Sequence, residues 1–81
     1  MALWTVYILR CRDGSLYTGI TNDLKKRIER HQKGLASKYT RSRRPVTLVY
    51  TEPRKAGSAA RKREAAIKKL SRREKLALVG Q

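Results

Sequence analysis

Two short stretches of β-branched and aromatic residues open the chain and are separated by a turn signal. Residues 4–21 read WTVYILRCRDGSLYTGIT, and Asp13-Gly14 lies between the two apolar arms. Val, Ile, Thr, Tyr and Trp favour strands, and Asp-Gly is typical of hairpin turns. We therefore predict a β-hairpin whose turn is either Asp13-Gly14 alone or the three residues 12–14.

The length of that turn decides whether the two tyrosines can act together, because side chains alternate between the faces of a strand. A two-residue turn would place Tyr17 opposite Arg10, on the other face from Tyr7. A three-residue loop with glycine in the left-handed conformation places Tyr17 opposite Leu9, on the face of Tyr7 and Gly19. We predict the second register, with two neighbouring phenols and a glycine that leaves room for close approach.

After the hairpin, the apolar period changes from two residues to that of a helix. Asn22 can cap a helix that continues as DLKKRIERHQK and ends at Gly34. The stripe that faces the sheet comprises Leu24, Ile28 and His31.

Two polar residues of this helix are open to alternative interpretations. Arg27 flanks the stripe and is either a solvated surface charge or a guanidinium at the sheet edge, facing Tyr7 and Tyr17. His31, the only histidine, is either a satisfied packing residue or a group that acts on a substrate.

A basic segment and a third strand follow. Residues 35–44 contain one aromatic among several cations, a composition suited to stacking on a base while contacting phosphates. The predicted nucleic-acid-binding residues are Lys38, Tyr39, Arg41, Arg43 and Arg44; the alternative is a solvent-exposed connector. Residues 46–52 predict a strand with Val46, Leu48 and Tyr50 on one face, ended by Pro53.

The C-terminal third is predicted to be helical. Ala60, Ile67 and Leu70 form an apolar stripe, and Glu64 falls within it. A carboxylate that points at the sheet needs a partner, either an arginine or a metal ion, because an unpaired buried charge is costly. Ser71-Arg-Arg-Glu74 is a capping-box pattern that predicts a separate last helix.

The composition of the chain indicates how many domains it forms and what kind of partner it binds. At 81 residues, 40% of them hydrophobic, the chain is predicted to be one domain over residues 1–81. Lys and Arg number 21 against six acids, for a net charge of +15. This excess indicates a polyanionic partner, nucleic acid first, and we expect no membrane role. With no leader or membrane-spanning run, a cytoplasmic location is expected.

The candidate residues exclude several classes of enzyme. One acid, one arginine and two tyrosines make no serine triad, zinc site or glycosidase carboxylate pair. Phosphodiester cleavage needs a metal, a cation for the charge at phosphorus, and a group that aligns or deprotonates water. Glu64, Arg27 and one of the tyrosines can supply these three roles.

Order and spacing then give a family resemblance that covers the whole chain. Val6-Tyr7-Ile8, Tyr17-Thr18-Gly19, Arg27 and the distal Glu64 resemble the motifs of the GIY-YIG nuclease superfamily, in its small stand-alone single-domain bacterial members. The resemblance implies an α+β fold, with a small three-stranded antiparallel sheet flanked by helices. It also implies an Mg²⁺- or Mn²⁺-dependent endonuclease, with DNA favoured over RNA and a role in DNA repair or recombination.

The same resemblance assigns roles to individual residues. Tyr17 would be the general base, and Tyr7 would orient the scissile phosphate or the water. Arg27 would stabilise the transition state, Glu64 would be the sole protein ligand of the metal, and His31 would assist the water. The chain departs from the motif at four places: Val6 replaces glycine, Thr18 replaces isoleucine, Ile20 stands where some relatives have lysine, and no asparagine follows the glutamate.

Two functions from different classes therefore remain in competition: a metal-dependent endonuclease, and a basic nucleic-acid-binding module with little or no cleavage. Glu64 favours the enzyme, because a pure binder has little use for an acid in its most basic helix. No motif selects single-stranded, duplex or branched substrates, and an unidentified protein partner could provide specificity.

Overall fold

The computed structural model describes residues 3–80 and has the predicted α+β architecture, with one antiparallel sheet in the order β2-β1-β3. The strands are β1 (Trp4–Arg10), β2 (Leu16–Thr21) and β3 (Thr47–Arg54). The helices are α1 (Leu24–Gln32), α2 (Lys38–Arg41), α3 (Gly57–Lys68) and α4 (Arg72–Leu78). The longest has 12 residues, and none of these described helices is long and apolar enough to span a bilayer.

The hairpin has the predicted register. Tyr17 pairs with Leu9, and Gly19 pairs with Tyr7. The Cys11 amide donates to the carbonyl of Ser15, which closes a three-residue loop. Gly14 in this loop has φ +86°, a conformation that glycine adopts without steric cost. The two tyrosines therefore share one face of the sheet, which we call the tyrosine face.

The two faces of β1 are covered by different helices. Val6 and Ile8 pack with Ala60 and Ile67 of α3 in a fully buried cluster, and we call this side the apolar face. On the tyrosine face, the buried cluster comprises Tyr7, Leu9, Cys11 and Val46, with Leu24 and Ile28 of α1 packed against it.

Helix α1 begins one residue later than the sequence suggests. The N-cap is Asp23, whose carboxylate accepts from the Lys26 amide, so the expectation for Asn22 was wrong. Thr21 Oγ1 accepts from the Asp23 amide and holds it in the capping position. The predicted stop is confirmed: Gly34 has φ +78°, and the backbone bonds that follow the helix form a C-terminal cap.

Strand β3 corrects two other expectations. Leu48 pairs with Leu9 and Tyr50 pairs with Ile8, and the register shifts between these pairs. Leu48 and Tyr50 therefore lie on opposite faces, because the extra residue, Val49, forms a bulge. The strand also continues through Pro53 to Arg54, which is tolerated because β3 is an edge strand.

The last helix folds as predicted. Ser71 and Glu74 form a reciprocal capping box at the start of α4. Leu78 and Val79 then pack against the cluster on the apolar face. The guanidinium of Arg72 also donates to the Gly14 carbonyl at 3.1 Å, which connects α4 to the hairpin loop.

Candidate active site

The Tyr7 ring lies directly across the backbone of Gly19. A Cβ atom at position 19 would be 2.5 Å from Tyr7 Oη and 2.6 Å from Cζ, distances that no real side chain tolerates. The room that glycine leaves is thus occupied by the ring of Tyr7 itself. This packing fixes the phenol, which is 0% exposed, at the centre of the tyrosine face.

A buried chain of hydrogen bonds begins at that phenol. Tyr7 Oη is 2.8 Å from His31 Nε2, and His31 Nδ1 is 2.8 Å from Thr40 Oγ1. Thr40 Oγ1 is in turn 3.0 Å from Ser37 Oγ. A neutral imidazole has one N–H donor and one acceptor nitrogen, so His31 can accept from the phenol while donating to Thr40, or the reverse.

Burial keeps both Tyr7 and His31 neutral at pH 7. It raises the pKa of Tyr7 to about 12, against an opposing effect of the nearby Arg27 guanidinium. Burial also lowers the pKa of His31 to about 4, and the charge of Arg27 acts in the same direction. The site therefore contains a protonated phenol hydrogen-bonded to an uncharged imidazole.

Tyr17, which is half-buried, packs against the same imidazole. The Tyr17 and His31 rings meet edge to face, with centroids 5.2 Å apart. Tyr39 stacks on Tyr17 at 6.0 Å, and the Arg43 guanidinium carbon lies 3.8 Å from the centroid of the Tyr39 ring. Arg43 is held by Asp13 of the hairpin loop at 3.1 Å. The basic segment is thereby joined to the tyrosine face.

Arg27 reaches the open edge of the sheet. Its Nη1 donates to the Ile20 carbonyl of β2 at 3.3 Å, which places the guanidinium at the edge rather than in bulk solvent. A cavity of about 370 Å³ opens here and is lined by Thr21, Asn22, Asp23, Lys26, Arg27 and Arg30. The cations that line it make it suitable for a phosphate group.

Glu64 lies on α3, the helix that covers the apolar face, and its charge makes only the smallest of the contributions that raise the pKa of Tyr7. The side chain is 21% exposed, and Oε2 is 3.2 Å from Lys68 Nζ. The partner is thus a lysine one turn away, where the sequence suggested an arginine or a metal. Glu52 fixes the adjacent part of α3 by accepting from Arg63 Nε at 2.7 Å.

The chemistry of these donors fits a divalent cation held by one carboxylate. Within residues 3–80, no group of three or more His, Cys, Asp or Glu is arranged to hold a metal. Mg²⁺ commonly uses one or two carboxylates and completes its coordination with waters and substrate phosphates. Glu64 is partly exposed, and its only ion pair among the described residues is the one with Lys68.

The structure thus brings together most of the residues singled out in the sequence, but not all. Tyr7, Tyr17 and His31 are in contact, Arg27 borders them, and Tyr39 and Arg43 adjoin through stacking. Arg41 and Arg44 line a different cavity, and Lys38 is exposed on α2. The contact of Thr40 with His31 could not be predicted from the sequence. The spacing of Ser37 and Thr40, typical of a helix start, signals only the start of α2.

Comparison with known proteins identifies the family. The model described as the GIY-YIG catalytic domain matches residues 3–77. A UPF0213 protein of Staphylococcus saprophyticus is 51% identical over 76 residues, covering 94% of this chain and 93% of that protein. A UPF0213 protein of Clostridium perfringens is 55% identical over 74 residues, covering 91% of this chain and 80% of that protein.

Solved structures agree with this match. The solution NMR structure of a UPF0213 protein from Bacillus halodurans has 47% identity and a TM-score of 0.61, covering 94% of this chain and 81% of that one. A solution NMR structure of a protein from E. faecalis has 37% identity and the same TM-score, covering 96% and 83%. With its paired tyrosines and its match over residues 3–77, the chain belongs to the GIY-YIG catalytic domain family.

Proposed function

We propose that this protein is a divalent-metal-dependent endonuclease that hydrolyses phosphodiester bonds in nucleic acid, with DNA as the favoured substrate. The observation that carries the proposal is the convergence of two phenols, a neutral imidazole and a guanidinium around one face of the sheet, with the charge of Glu64 contributing to the pKa of Tyr7. Family membership and the net charge of +15 support action on a polyanion.

Burial supports different roles for the two tyrosines. Tyr7 keeps its proton, because its pKa is about 12. In the tautomer in which His31 Nε2–H donates to Tyr7 Oη, this proton would be free to orient a phosphate or a water that reaches the buried phenol. Tyr17 is half-buried, whereas Tyr7 is fully buried, and the Tyr17 ring packs edge to face against His31. We assign to Tyr17, as the phenolate, the role of accepting the proton of the attacking water; a bound metal or a nearby guanidinium would have to stabilise that phenolate. Tyr7 and Tyr17 would thus act as donor and base.

The charged residues would complete the reaction. Arg27, at the edge of β2, would stabilise the charge that develops on the phosphoryl oxygens. His31, neutral at pH 7 because burial lowers its pKa to about 4, would assist the water through its hydrogen bond with Tyr7. Glu64 would hold Mg²⁺ or Mn²⁺, which would supply positive charge beside the phosphate.

One contact favours the second candidate function, a basic nucleic-acid-binding module without cleavage. Lys68 lies 3.2 Å from Glu64 and satisfies its charge without a metal. The carboxylate could therefore be a structural partner of an exposed lysine. The two functions differ in whether removal of the carboxylate charge abolishes cleavage or leaves only binding.

The test is cleavage of single-stranded, duplex and branched DNA and of RNA by the purified protein, with Mg²⁺, Mn²⁺ or a chelator. Glu64→Gln removes the proposed ligand. Glu29→Gln makes the same chemical change at an exposed residue of α1. We expect metal-dependent cleavage by the wild type and Glu29→Gln, and a loss on the order of a hundredfold in Glu64→Gln.

Other outcomes would contradict the proposal. Cleavage that persists in chelator or in Glu64→Gln would remove the proposed role of the carboxylate. Tight binding without cleavage of any substrate would favour the binding module.

A further inference from the structure

A second basic cavity lies at the C-terminal end of α1. Its volume is about 330 Å³, and it is lined by Arg12, Gln32, Arg41, Ser42, Arg44 and Pro45. The three arginines come from the hairpin loop, from α2 and from the segment before β3. None of the three forms an ion pair with a carboxylate among residues 3–80. The cavity therefore has positive charge that no neighbouring acid offsets.

The guanidinium of Arg44 is held in place by backbone carbonyls. Its Nε donates to the Arg41 carbonyl at 2.9 Å, and its Nη1 donates to the Gln32 carbonyl at 3.3 Å. These bonds use two of the five N–H groups of a guanidinium and leave three for a ligand. The group also packs over Gly34, where an added Cβ would be 2.9 Å from Arg44 Cζ. Arg44 is thus oriented before any ligand binds.

Hydrogen bonds also hold the other residues that line the cavity, and these bonds occupy polar groups that could otherwise pair with the arginines. The Gln32 side chain donates to the Val46 carbonyl at 2.6 Å and accepts from the Val46 amide at 3.1 Å. The backbone amide of Arg12 donates to the Arg43 carbonyl at 2.9 Å. With the amide of Gln32 occupied, the side-chain donors that remain are mainly those of the arginines. This favours an anion with several oxygens.

We propose that this three-arginine cavity binds a backbone phosphodiester of the strand that is cut at the tyrosine face, and so sets where that strand is cut. The inference rests on the proposed nuclease function. Helix α1 lines both cavities, with Gln32 in this one and Arg27 in the one at the edge of β2. Arg27 and Gln32 are about 7.5 Å apart along the helix axis. The phosphate bound in the three-arginine cavity is therefore a different phosphate of that strand from the one at Arg27.

The test replaces single phosphates of a short labelled oligodeoxynucleotide by neutral methylphosphonates, one position at a time. Binding is measured by fluorescence anisotropy in chelator, for the wild type and for Arg44→Gln. At one position, away from the bond that is cut with metal, we expect the neutral group to weaken wild-type binding about tenfold. The same replacement should weaken binding by Arg44→Gln less than about twofold. The effects of removing the phosphate charge and of removing the guanidinium are not additive when the two groups are in contact.

Two further variants keep the result interpretable. Lys62→Gln removes one positive charge from the exposed side of α3, and it should stay as sensitive to the critical methylphosphonate as the wild type. Arg12→Gln changes another arginine of the cavity without removing the two bonds that hold Arg44, and it should lose sensitivity at the same position. Circular dichroism would check that each variant is folded.

Several results would overturn the inference. If folded Arg44→Gln and Arg12→Gln remain as sensitive as the wild type at every position, the cavity does not hold a phosphate of the strand. If Lys62→Gln loses sensitivity at the critical position to the same extent as Arg44→Gln and Arg12→Gln, only overall charge matters. Inorganic phosphate that shifts the Arg44 Nε–H NMR signal as strongly as the oligonucleotide would indicate a free-phosphate site instead. Because binding is measured without metal, an absence of cleavage would overturn the proposed function without changing these outcomes.

Discussion

The two faces of β1 are stabilised by different interactions. Val6 and Ile8 point to the apolar face, where only carbon-rich side chains meet in the buried cluster with α3. Tyr7, between them in sequence, points to the tyrosine face and begins a hydrogen-bonded chain through His31. Burying the His31 imidazole has a free-energy cost, because it disfavours the charged form of the ring. Burying the apolar side chains on the other face is favourable. The pleat of one strand thus separates residues that stabilise the fold from residues that can react.

Glu64 is the exception to this separation. It lies on α3, between Ala60 and Ile67 of the apolar cluster, yet its charge acts on Tyr7. The apolar face therefore positions the proposed metal ligand as well as stabilising the protein. Substitutions on the two faces should consequently differ in whether they change stability, activity or both.

The largest effect on stability is expected from Ile67→Ala. The side chain is fully buried in the apolar cluster, and its truncation leaves a cavity that should cost about 3 kcal/mol of unfolding free energy. Urea denaturation measures this, with Lys62→Ala as an exposed control on the same helix. Cleavage per folded molecule should change little. A cost for Ile67→Ala no greater than that of the control would contradict the described packing.

Gly19→Ala should disturb the tyrosine face more than the overall fold. The new Cβ would displace the ring of Tyr7, at a cost of about 2 kcal/mol, and would move the phenol away from His31. We expect cleavage per folded molecule to fall far more than in Ile67→Ala. Gly14→Ala is the control, because it strains a left-handed residue but meets nothing within 4 Å. An unchanged His31 ring signal in the NMR spectrum of Gly19→Ala would contradict this.

The pH dependence of stability tests the cost of burying His31. Its pKa is about 4 in the folded protein, below the ordinary 6.5, so the unfolded chain takes up the proton first as the pH falls. The free energy of unfolding therefore has its full value above pH 6.5, where His31 is neutral in both states, and it falls as the pH is lowered towards 4. Between pH 7 and 5 the loss should be about 2 kcal/mol. Urea denaturation at both pH values should show a smaller change for His31→Gln, and an equal change would contradict the assignment.

Lys68→Ala should have the smallest effect on stability. The pair with Glu64 spans one helical turn and its lysine is exposed, so the loss should stay below about 0.5 kcal/mol. Removing the lysine should also tighten Mn²⁺ binding, because it competes for the same carboxylate. Calorimetric titration and urea denaturation check the two effects. Weaker Mn²⁺ binding, or a stability loss above about 1 kcal/mol, would show that the pair is structural.

Features encoded by neighbouring residues could be predicted from the sequence. The Asp13-Gly14 signal located the hairpin, and of the two registers that its turn allowed, the predicted one, which joins Tyr7 to Tyr17, is observed. Gly34 ended α1 as expected, since few other residues adopt its positive φ. The first cap was less certain, because Asn22 and Asp23 can both accept from a helix amide. The contact between Thr21 and Asp23 favours the second.

Features that depend on distant contacts could not be predicted. The bulge at Val49 follows from how β3 pairs with β1, and no residue of β3 signals it. Thr40 contacts His31 only because α2 folds back onto α1. The cavity around Arg44 likewise needs three segments in place. In the candidate site, therefore, the tyrosine pair, Arg27 and His31 could be named from the sequence, whereas contacts such as that of His31 with Thr40 required the fold.

The convergence of the tyrosine face and Glu64 on one cation site is tested most directly by paramagnetic NMR with Mn²⁺. Signals of Glu64, Tyr7 and Gly19 should broaden together at low Mn²⁺ concentration, although these residues lie on different elements. Glu64→Gln should abolish this broadening, and Glu29→Gln should leave it unchanged. Broadening that centres elsewhere, or that survives Glu64→Gln, would contradict a single site built from both faces of the sheet.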